Sequence, residues 1–197
     1  MAGGSVIEHQ DGAVCAPDAR SDAALVAAIN SGELEAFTVL YYRHRDWVVA
    51  QACHFTGHPD LALDVLQETF LYFLKKFPGF QLTAQLKTFL YPAVRNYSIA
   101  ARRKAARDRL SNPEELDAIP APPTSPSTAE GNDALADVLA LLPEENQAVV
   151  RLRFVDGLKL EEIARAMSVP VGTVKSRLHY ALQTLRQDPR TKNFFEL

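Results

Sequence analysis

Hydrophobic residues recur every three or four positions through most of this chain, which is the spacing of one face of an α-helix. The pattern is clearest near the C-terminus, where two such stretches are separated by a short break around Pro170. The first stretch carries Leu160, Ile163, Ala164 and Met167 on one face, and the second carries Val174, Leu178, Ala181, Leu182 and Leu185. Because we find no alternating pattern typical of strands, the sequence predicts an all-α protein.

The two C-terminal stretches predict a helix-turn-helix, a motif whose second helix enters the DNA major groove. Six residues point away from the apolar face of the second helix: Thr173, Lys175, Ser176, Arg177, His179 and Tyr180. They combine cations, which bind phosphates, with groups that hydrogen-bond to base edges. An ordinary helical hairpin with a solvated face is the alternative that the pattern alone leaves open.

The N-terminal half predicts further helices with a core of their own. Ser21 and Asp22 can cap a first helix, which the pair Ser31-Gly32 interrupts. A longer helical pattern follows over about residues 33–54, another over 63–77, and a last one begins near Thr83. Most aromatic residues of the chain lie between positions 37 and 97, so this half can bury a core without the C-terminal stretches.

Residues 111–132 differ from both halves, because they hold five of the 12 prolines together with Ser, Thr and Ala. This composition is typical of a semi-rigid linker. We therefore predict a flexible tail over residues 1–20, a helical domain over 21–110, a linker over 111–132, a helix-turn-helix domain over 133–188 and a C-terminal tail over 189–197.

Two surfaces of the N-terminal half are candidates for binding. On the predicted helix 63–77, Leu63, Leu66, Phe70, Phe73, Leu74 and Phe77 gather on one side, and Asp64, Gln67, Glu68, Leu71 and Lys75 on the other. A solvated face explains the polar residues and leaves Leu71 as an apolar centre. The stretch 95–109 holds six basic residues and one acid, and it is either a solvated surface or a phosphate-binding one.

Two motifs in these segments resemble one family. Residues 161–164 (Glu-Glu-Ile-Ala) and 169–178 (Val-Pro-Val-Gly-Thr-Val-Lys-Ser-Arg-Leu) resemble the promoter-reading C-terminal domain of bacterial RNA polymerase sigma factors. The likeness is greatest to the extracytoplasmic-function (ECF) group of the sigma-70 family. Residues 64–70 (Asp-Val-Leu-Gln-Glu-Thr-Phe) resemble the most recognisable helix of the N-terminal domain of the same family.

The resemblance implies a role for each surface. The second helix of the helix-turn-helix would read the −35 promoter element. Asp64, Gln67, Glu68 and Leu71 would dock on the clamp coiled coil of the polymerase largest subunit. The loop over about residues 77–87 and the helix after it would open the −10 element and capture a flipped base. The candidate residues for that step are Phe80, Arg95, Asn96, Arg102, Arg103 and Lys104.

The resemblance also implies core RNA polymerase, promoter DNA and an anti-sigma factor as partners, with no catalysis by the chain itself. The alternative is a stand-alone helix-turn-helix regulator whose N-terminal domain senses or dimerises. The aromatic and basic stretch 89–109 disfavours that alternative, because a sensing domain does not need it.

Several patterns depart from the family and carry structural expectations of their own. Lys159 stands at an N-cap where Ser or Thr is usual, so its side chain cannot accept from the helix N–H groups. Ser168 replaces a turn glycine, so we expect it to adopt a left-handed conformation. Pro92 falls inside a predicted helix, where it removes a hydrogen bond.

Composition adds limits to this interpretation. The net charge of −3 means that any basic, DNA-facing surface must be local. The two cysteines do not form a disulfide framework, and Cys53, His54 and His58 lack a fourth ligand at a recognised metal spacing. We therefore expect no metal and no cofactor. No apolar run or leader pattern predicts membrane insertion or export, so the expected location is the cytoplasm.

Overall fold

The computed structural model describes residues 18–111 and 139–188, and the described residues form α-helices without strands, as the sequence predicts. The predicted tail 1–20 and linker 111–132 lie almost wholly outside these ranges, and the tail 189–197 lies wholly outside them. The helices are α1 (Asp22–Asn30), α2 (Glu35–Thr56), α3 (Pro59–Leu74), α4 (Leu86–Ser111), α5 (Glu144–Val150), α6 (Leu160–Met167) and α7 (Val171–Gln187).

Capping residues set the ends of the first helices. The Ser21 hydroxyl accepts a hydrogen bond from the Ala24 N–H at 3.3 Å, which confirms the predicted N-cap of α1. Gly57 ends α2 in the left-handed conformation that glycine adopts without strain. Pro59 then occupies the first turn of α3, where its missing N–H leaves no bond unmade.

An aromatic cluster joins α2, α3 and α4 into the N-terminal core. The rings of Phe37 and Phe73 stack at 5.8 Å between centroids, and Tyr41 meets Phe70 edge-on at 4.8 Å. Phe73 is fully buried. Such pairs stabilise a fold beyond the area they bury. The core of this half is not separate, although the sequence predicts that it is, because the same hydrophobic cluster continues into residues of the C-terminal half.

Two residues of α3 do not lie where periodicity predicts. The pattern predicts Leu63 and Leu74 on the core side, yet they are 52% and 41% exposed. Both lie near an end of α3, and burial also requires a neighbouring element that reaches that far along the helix axis. The loop after α3 is also longer than predicted, because α4 begins at Leu86 rather than near Thr83, and Pro92 lies within its continuous span.

The C-terminal helices form the predicted helix-turn-helix. Lys159 precedes α6 without a side-chain cap, and the Glu162 carboxylate instead accepts from the Lys159 N–H at 2.9 Å. Ser168 adopts the expected left-handed conformation, with φ 56°. A π-helical turn, Arg151–Val155, connects α5 to the segment before α6.

The two helical units pack against each other, chiefly through α4 and α6. Buried Leu86 and Leu90 of α4 share one hydrophobic cluster with Leu158 and Ile163 from the C-terminal half. A smaller separate cluster holds α7 against α5 and the residues just before it, through Leu142, Val150, Ala181 and Leu185. The helix-turn-helix is therefore fixed both by its own core and by the N-terminal unit.

Candidate polymerase and nucleic-acid interfaces

The outer side of α7 carries the candidate −35 residues. Lys175, Ser176, His179 and Tyr180 are exposed, and Thr173 is half-buried near the helix start. Ser176 also donates to the Thr173 carbonyl at 3.0 Å, which holds its hydroxyl against the helix. The face thus offers one cation, one imidazole and one phenol to a groove, a set suited to phosphates and base edges.

The Arg177 side chain is not free on the outer face of α7, although the pattern predicts that it points outward. Its guanidinium pairs with the Glu145 carboxylate on α5, and only 19% of its side chain is exposed. The pattern of α7 gives the direction of Arg177 but cannot reveal a partner 32 positions earlier in the chain. Base contact by Arg177 therefore requires it to leave Glu145.

The exposed face of α3 carries the candidate docking residues and is more apolar than expected. Asp64, Gln67, Glu68 and Leu71 are all exposed, with Leu71 at 49%. Exposed Leu63 and Leu74 extend the apolar part along the same helix. An apolar centre with a polar rim is typical of a protein-binding patch.

The loop between α3 and α4 folds over an aromatic platform. Phe80 packs against Phe89 at 4.7 Å and against Phe73 at 5.4 Å between ring centroids. A cavity of about 160 Å³ opens beside it, lined by residues 80–85, Thr88, Phe89 and Arg165. Aromatic walls of this kind can stack an unpaired base. We call this cavity the loop cavity.

Asn30 anchors this loop, and sequence reasoning missed it. Its side-chain amide donates to the Phe80 carbonyl at 2.8 Å, and its carbonyl oxygen accepts from the Gly79 N–H at 2.7 Å. Asn30 is the last residue of α1, so its place in the sequence indicates only a helix end. The two bonds span about fifty positions and exist only in the tertiary structure.

The far part of α4 presents the predicted basic surface. Arg95, Asn96, Arg102, Arg103 and Lys104 are exposed. Arg102 also donates to the Phe55 carbonyl at 3.3 Å, which ties its side chain to the end of α2. Phe80 lies on the loop rather than on α4, so the six candidate −10 residues occupy two separate elements.

Three titratable groups have shifted pKa values: His54, Tyr91 and Arg151. Burial lowers the pKa of His54, and nearby Arg151 lowers it further. Burial also raises the pKa of Tyr91 to about 12 and lowers the pKa of Arg151. Each shift favours the neutral form, as expected where burial disfavours charge.

Residues 18–111 and 139–188 hold no group of three or more His, Cys, Asp or Glu side chains arranged to bind a metal ion. None of the helices in these ranges has the length and apolar character needed to span a membrane.

Comparisons with known proteins match both units. The model for Sigma-70 region 2 matches residues 40–108, and the model for Sigma-70, region 4 matches residues 138–187. The ECF RNA polymerase sigma-E factor of Haemophilus influenzae is 29% identical over 177 residues, covering 84% of this chain and 93% of that protein. The ECF RNA polymerase sigma factor SigW of Bacillus subtilis is 25% identical over 177 residues, covering 84% and 95%.

Solved structures share the fold. CnrH in complex with the cytosolic domain of CnrY matches with a TM-score of 0.58 at 22% identity, over 83% of this chain and 93% of that one. The sigma factor RpoE of Bartonella quintana, solved with the anti-sigma factor NepR, matches with a TM-score of 0.54 at 21% identity, over 81% and 96%. The two family regions, in this order and on these two helical units, show that the chain belongs to the sigma-70 family of RNA polymerase sigma factors, in its ECF group.

Proposed function

We propose that this sigma factor binds core RNA polymerase through the exposed face of α3 and places its two domains on the −10 and −35 elements. The observation that carries the proposal is the set of exposed side chains on α3: Leu71 lies among Asp64, Gln67 and Glu68 without a covering element among the described residues. An apolar centre of this kind is desolvated on binding, while its polar rim excludes water.

The −35 element is read by the outer face of α7. Lys175 and His179 meet phosphates or base edges, Thr173, Ser176 and Tyr180 supply hydrogen-bonding groups, and Arg177 joins them after leaving Glu145. The helix-turn-helix supports this assignment, because its second helix is the one that enters the major groove.

The −10 element is opened by the N-terminal domain. The loop cavity stacks a flipped base on Phe80 and Phe89, and the exposed cations of α4 neutralise the phosphates around it. The contacts to the phosphates come from the candidate residues of α4, which are Arg95, Asn96, Arg102, Arg103 and Lys104. Residues 21–110 thus act as the −10 domain and residues 133–188 as the −35 domain, joined by the linker 111–132.

Control by an anti-sigma factor completes the proposal. The Bartonella relative in the fold comparison was solved with an anti-sigma factor, and we assign this chain a partner of the same class. The chain performs no catalysis and uses no cofactor, because the polymerase makes the RNA. It acts in the cytoplasm, where the promoter DNA and the polymerase meet.

The test is run-off transcription with purified bacterial core polymerase on a pool of promoters selected with the reconstituted holoenzyme. We expect a transcript only when the sigma factor is present, and none with Leu71→Asp. A stand-alone regulator, the alternative class, would bind DNA without supporting initiation by core polymerase. Absence of any transcript together with normal DNA binding would favour that alternative.

A further inference from the structure

We infer that Asn30 is a positioning residue for the capture of the flipped −10 base. It acts through the loop between α3 and α4, residues 75–85, which it holds in the shape that forms the loop cavity. The inference rests on the proposed function, because this loop is the one that would hold the base. Asn30 does not line the loop cavity, so we assign it no contact with DNA.

The Asn30 amide makes two hydrogen bonds to adjacent residues of the loop. Its nitrogen donates to the Phe80 carbonyl at 2.8 Å, and its oxygen accepts from the Gly79 N–H at 2.7 Å. Because one atom must donate and the other must accept, only one orientation of the amide satisfies both partners. A single side chain therefore fixes the loop backbone immediately beside the aromatic wall of the cavity.

The loop has little else to hold its backbone. Within the described ranges, residues 79–83 make no backbone–backbone hydrogen bond. The Phe80 ring packs against Phe77 and Phe89, at 5.7 and 4.7 Å between ring centroids, but this packing fixes the ring and leaves the polar backbone groups without partners. Gly79 adopts φ 100°, a conformation that glycine tolerates. The shape of this stretch therefore depends on Asn30 more than on hydrogen bonds within the loop.

α1 gives Asn30 a firm base. At the start of this helix, the Asp22 carboxylate accepts from Arg43 at 2.7 Å and lies 2.8 Å from Nε2 of His44. At its end, Ile29 is buried in the core, and Asn30 follows as the last residue of the helix. The Asn30 amide therefore links the loop to a helix that cannot shift without disturbing the core.

A fixed loop favours capture, because a loop that is ordered before the base arrives loses less conformational entropy when it binds. Loss of the two hydrogen bonds of Asn30 should therefore weaken base capture. It should leave the other two binding surfaces intact, because Leu71 lies on α3 and the −35 residues lie on α7.

The experiment measures binding of single-stranded −10 oligonucleotides from a selected promoter to the holoenzyme, which is reconstituted from the full chain and purified core polymerase. An abasic nucleotide is placed at each position in turn, and the captured base is the one whose removal weakens wild-type binding most. Asn30→Leu removes both hydrogen bonds and should weaken binding of the intact oligonucleotide about tenfold, as expected for two hydrogen bonds. The variant and the wild type should bind equally to the oligonucleotide that lacks the captured base.

This dependence on the base separates positioning from a structural role, because a general loss of structure would weaken binding of both oligonucleotides alike. Ser31→Ala is the matched control: the Ser31 hydroxyl donates to the Ala28 carbonyl at 2.8 Å, within the same helix end and away from the loop. It should bind both oligonucleotides as the wild type does. Circular dichroism and core-polymerase affinity should be the same in every variant.

Asn30→Asp is the second variant and guards against a failure of Asn30→Leu to fold. It keeps the size of the side chain and an acceptor for the Gly79 N–H, but an aspartate cannot donate to the Phe80 carbonyl. We therefore expect the same base-dependent loss of binding in Asn30→Asp.

The outcomes distinguish this inference from the proposed function. Wild-type binding in both Asn30 variants, or an equal loss with and without the captured base, would overturn the inference and leave the proposed function standing. A wild-type holoenzyme that is insensitive to an abasic nucleotide at every −10 position would reject base capture, and this inference with it.

Discussion

Arg177 of α7 pairs with Glu145 of α5, so a candidate base-reading side chain is held inside its own domain. Glu145 is 57% exposed, and such surface pairs stabilise a fold by only about 0–1 kcal/mol. DNA phosphates and base edges can therefore replace this carboxylate. The pair makes Arg177 a link between two helices, and it makes Glu145 a competitor of DNA for the Arg177 guanidinium.

The first prediction separates these two roles. Arg177→Ala should weaken −35-dependent transcription, because it should make binding to the −35 element less favourable by about 1–3 kcal/mol. This is the usual cost of removing a base-reading side chain. Glu145→Gln should tighten binding to a −35 duplex, because it removes the competing carboxylate, while the thermal midpoint changes little. Fluorescence anisotropy and thermal melting provide the two measurements. A large loss of stability in Arg177→Ala with unchanged promoter activity would make the pair purely structural.

The second prediction concerns the α3 face. Leu71→Asp should weaken core-polymerase binding by several kcal/mol, roughly the penalty of burying an unpaired carboxylate in an interface. Glu68→Lys should act in the same direction by reversing a rim charge. Neither side chain faces the aromatic core, so the thermal midpoint should barely move. Thr69→Val is a useful contrast, because Thr69 is buried on the opposite side of α3 and its change should spare polymerase binding. Wild-type affinity in both surface variants would reject the docking face.

The third prediction concerns the basic end of α4. The variant replaces Arg102, Arg103 and Lys104 with glutamine. The logarithm of the rate of open-complex formation falls with the logarithm of the salt concentration, and the variant should make this slope shallower. We expect a change of up to about 0.7–0.9 for each phosphate that is no longer neutralised. The rate of open-complex formation at several salt concentrations gives the slope. Arg45→Gln, which removes an exposed cation of α2 that pairs with Asp46, should leave the slope unchanged. An equal slope in the triple variant would show that these cations only meet solvent.

The fourth prediction is a pH dependence at the domain contact. The His54 side chain interacts with the charges of Arg151 and Glu144, and it lines a cavity with His58 and Arg102. Because its pKa is lowered in the folded chain, the unfolded chain binds more protons once the pH falls below the ordinary value of 6.5. The contribution of His54 to folding stability should therefore be fully present above about pH 6.5 and decline as the pH falls below it.

Thermal melting of the wild type and of His54→Gln over this range is the measurement. The decline should be smaller in His54→Gln, which cannot gain the proton. Burial raises the pKa of the Asp22 carboxyl, but hydrogen bonds from His44 and Arg43 outweigh it and lower that pKa on balance, so the contribution of Asp22 disappears only at more acidic pH. Identical curves for both proteins would exclude His54 as the source.

Local sequence predicted the features that local chemistry controls. The Ser21 cap, the break at Gly32 and the left-handed Ser168 all follow from the conformations and hydrogen bonds that each residue type allows within one turn of chain. Periodicity likewise predicted which side of α7 is apolar and that Leu71 of α3 would be exposed.

Only the tertiary structure decided what covers each helix and which distant side chains meet. Periodicity gives the direction of Leu63 and Leu74 but not the extent of the neighbouring helices, so their predicted place in the core is wrong. Glu145 and Arg177 pair across 32 positions of the chain, and Lys87 pairs with Asp156 across 69. The two hydrogen bonds of Asn30 reach residues 49 and 50 positions away. The sequence therefore determined the helices, the motifs and their outward faces, because these depend on neighbours along the chain. The pairing of Arg177 within the C-terminal domain, and the packing of the two domains that places Arg165 beside the loop cavity, were decided by contacts that exist only after the chain has folded.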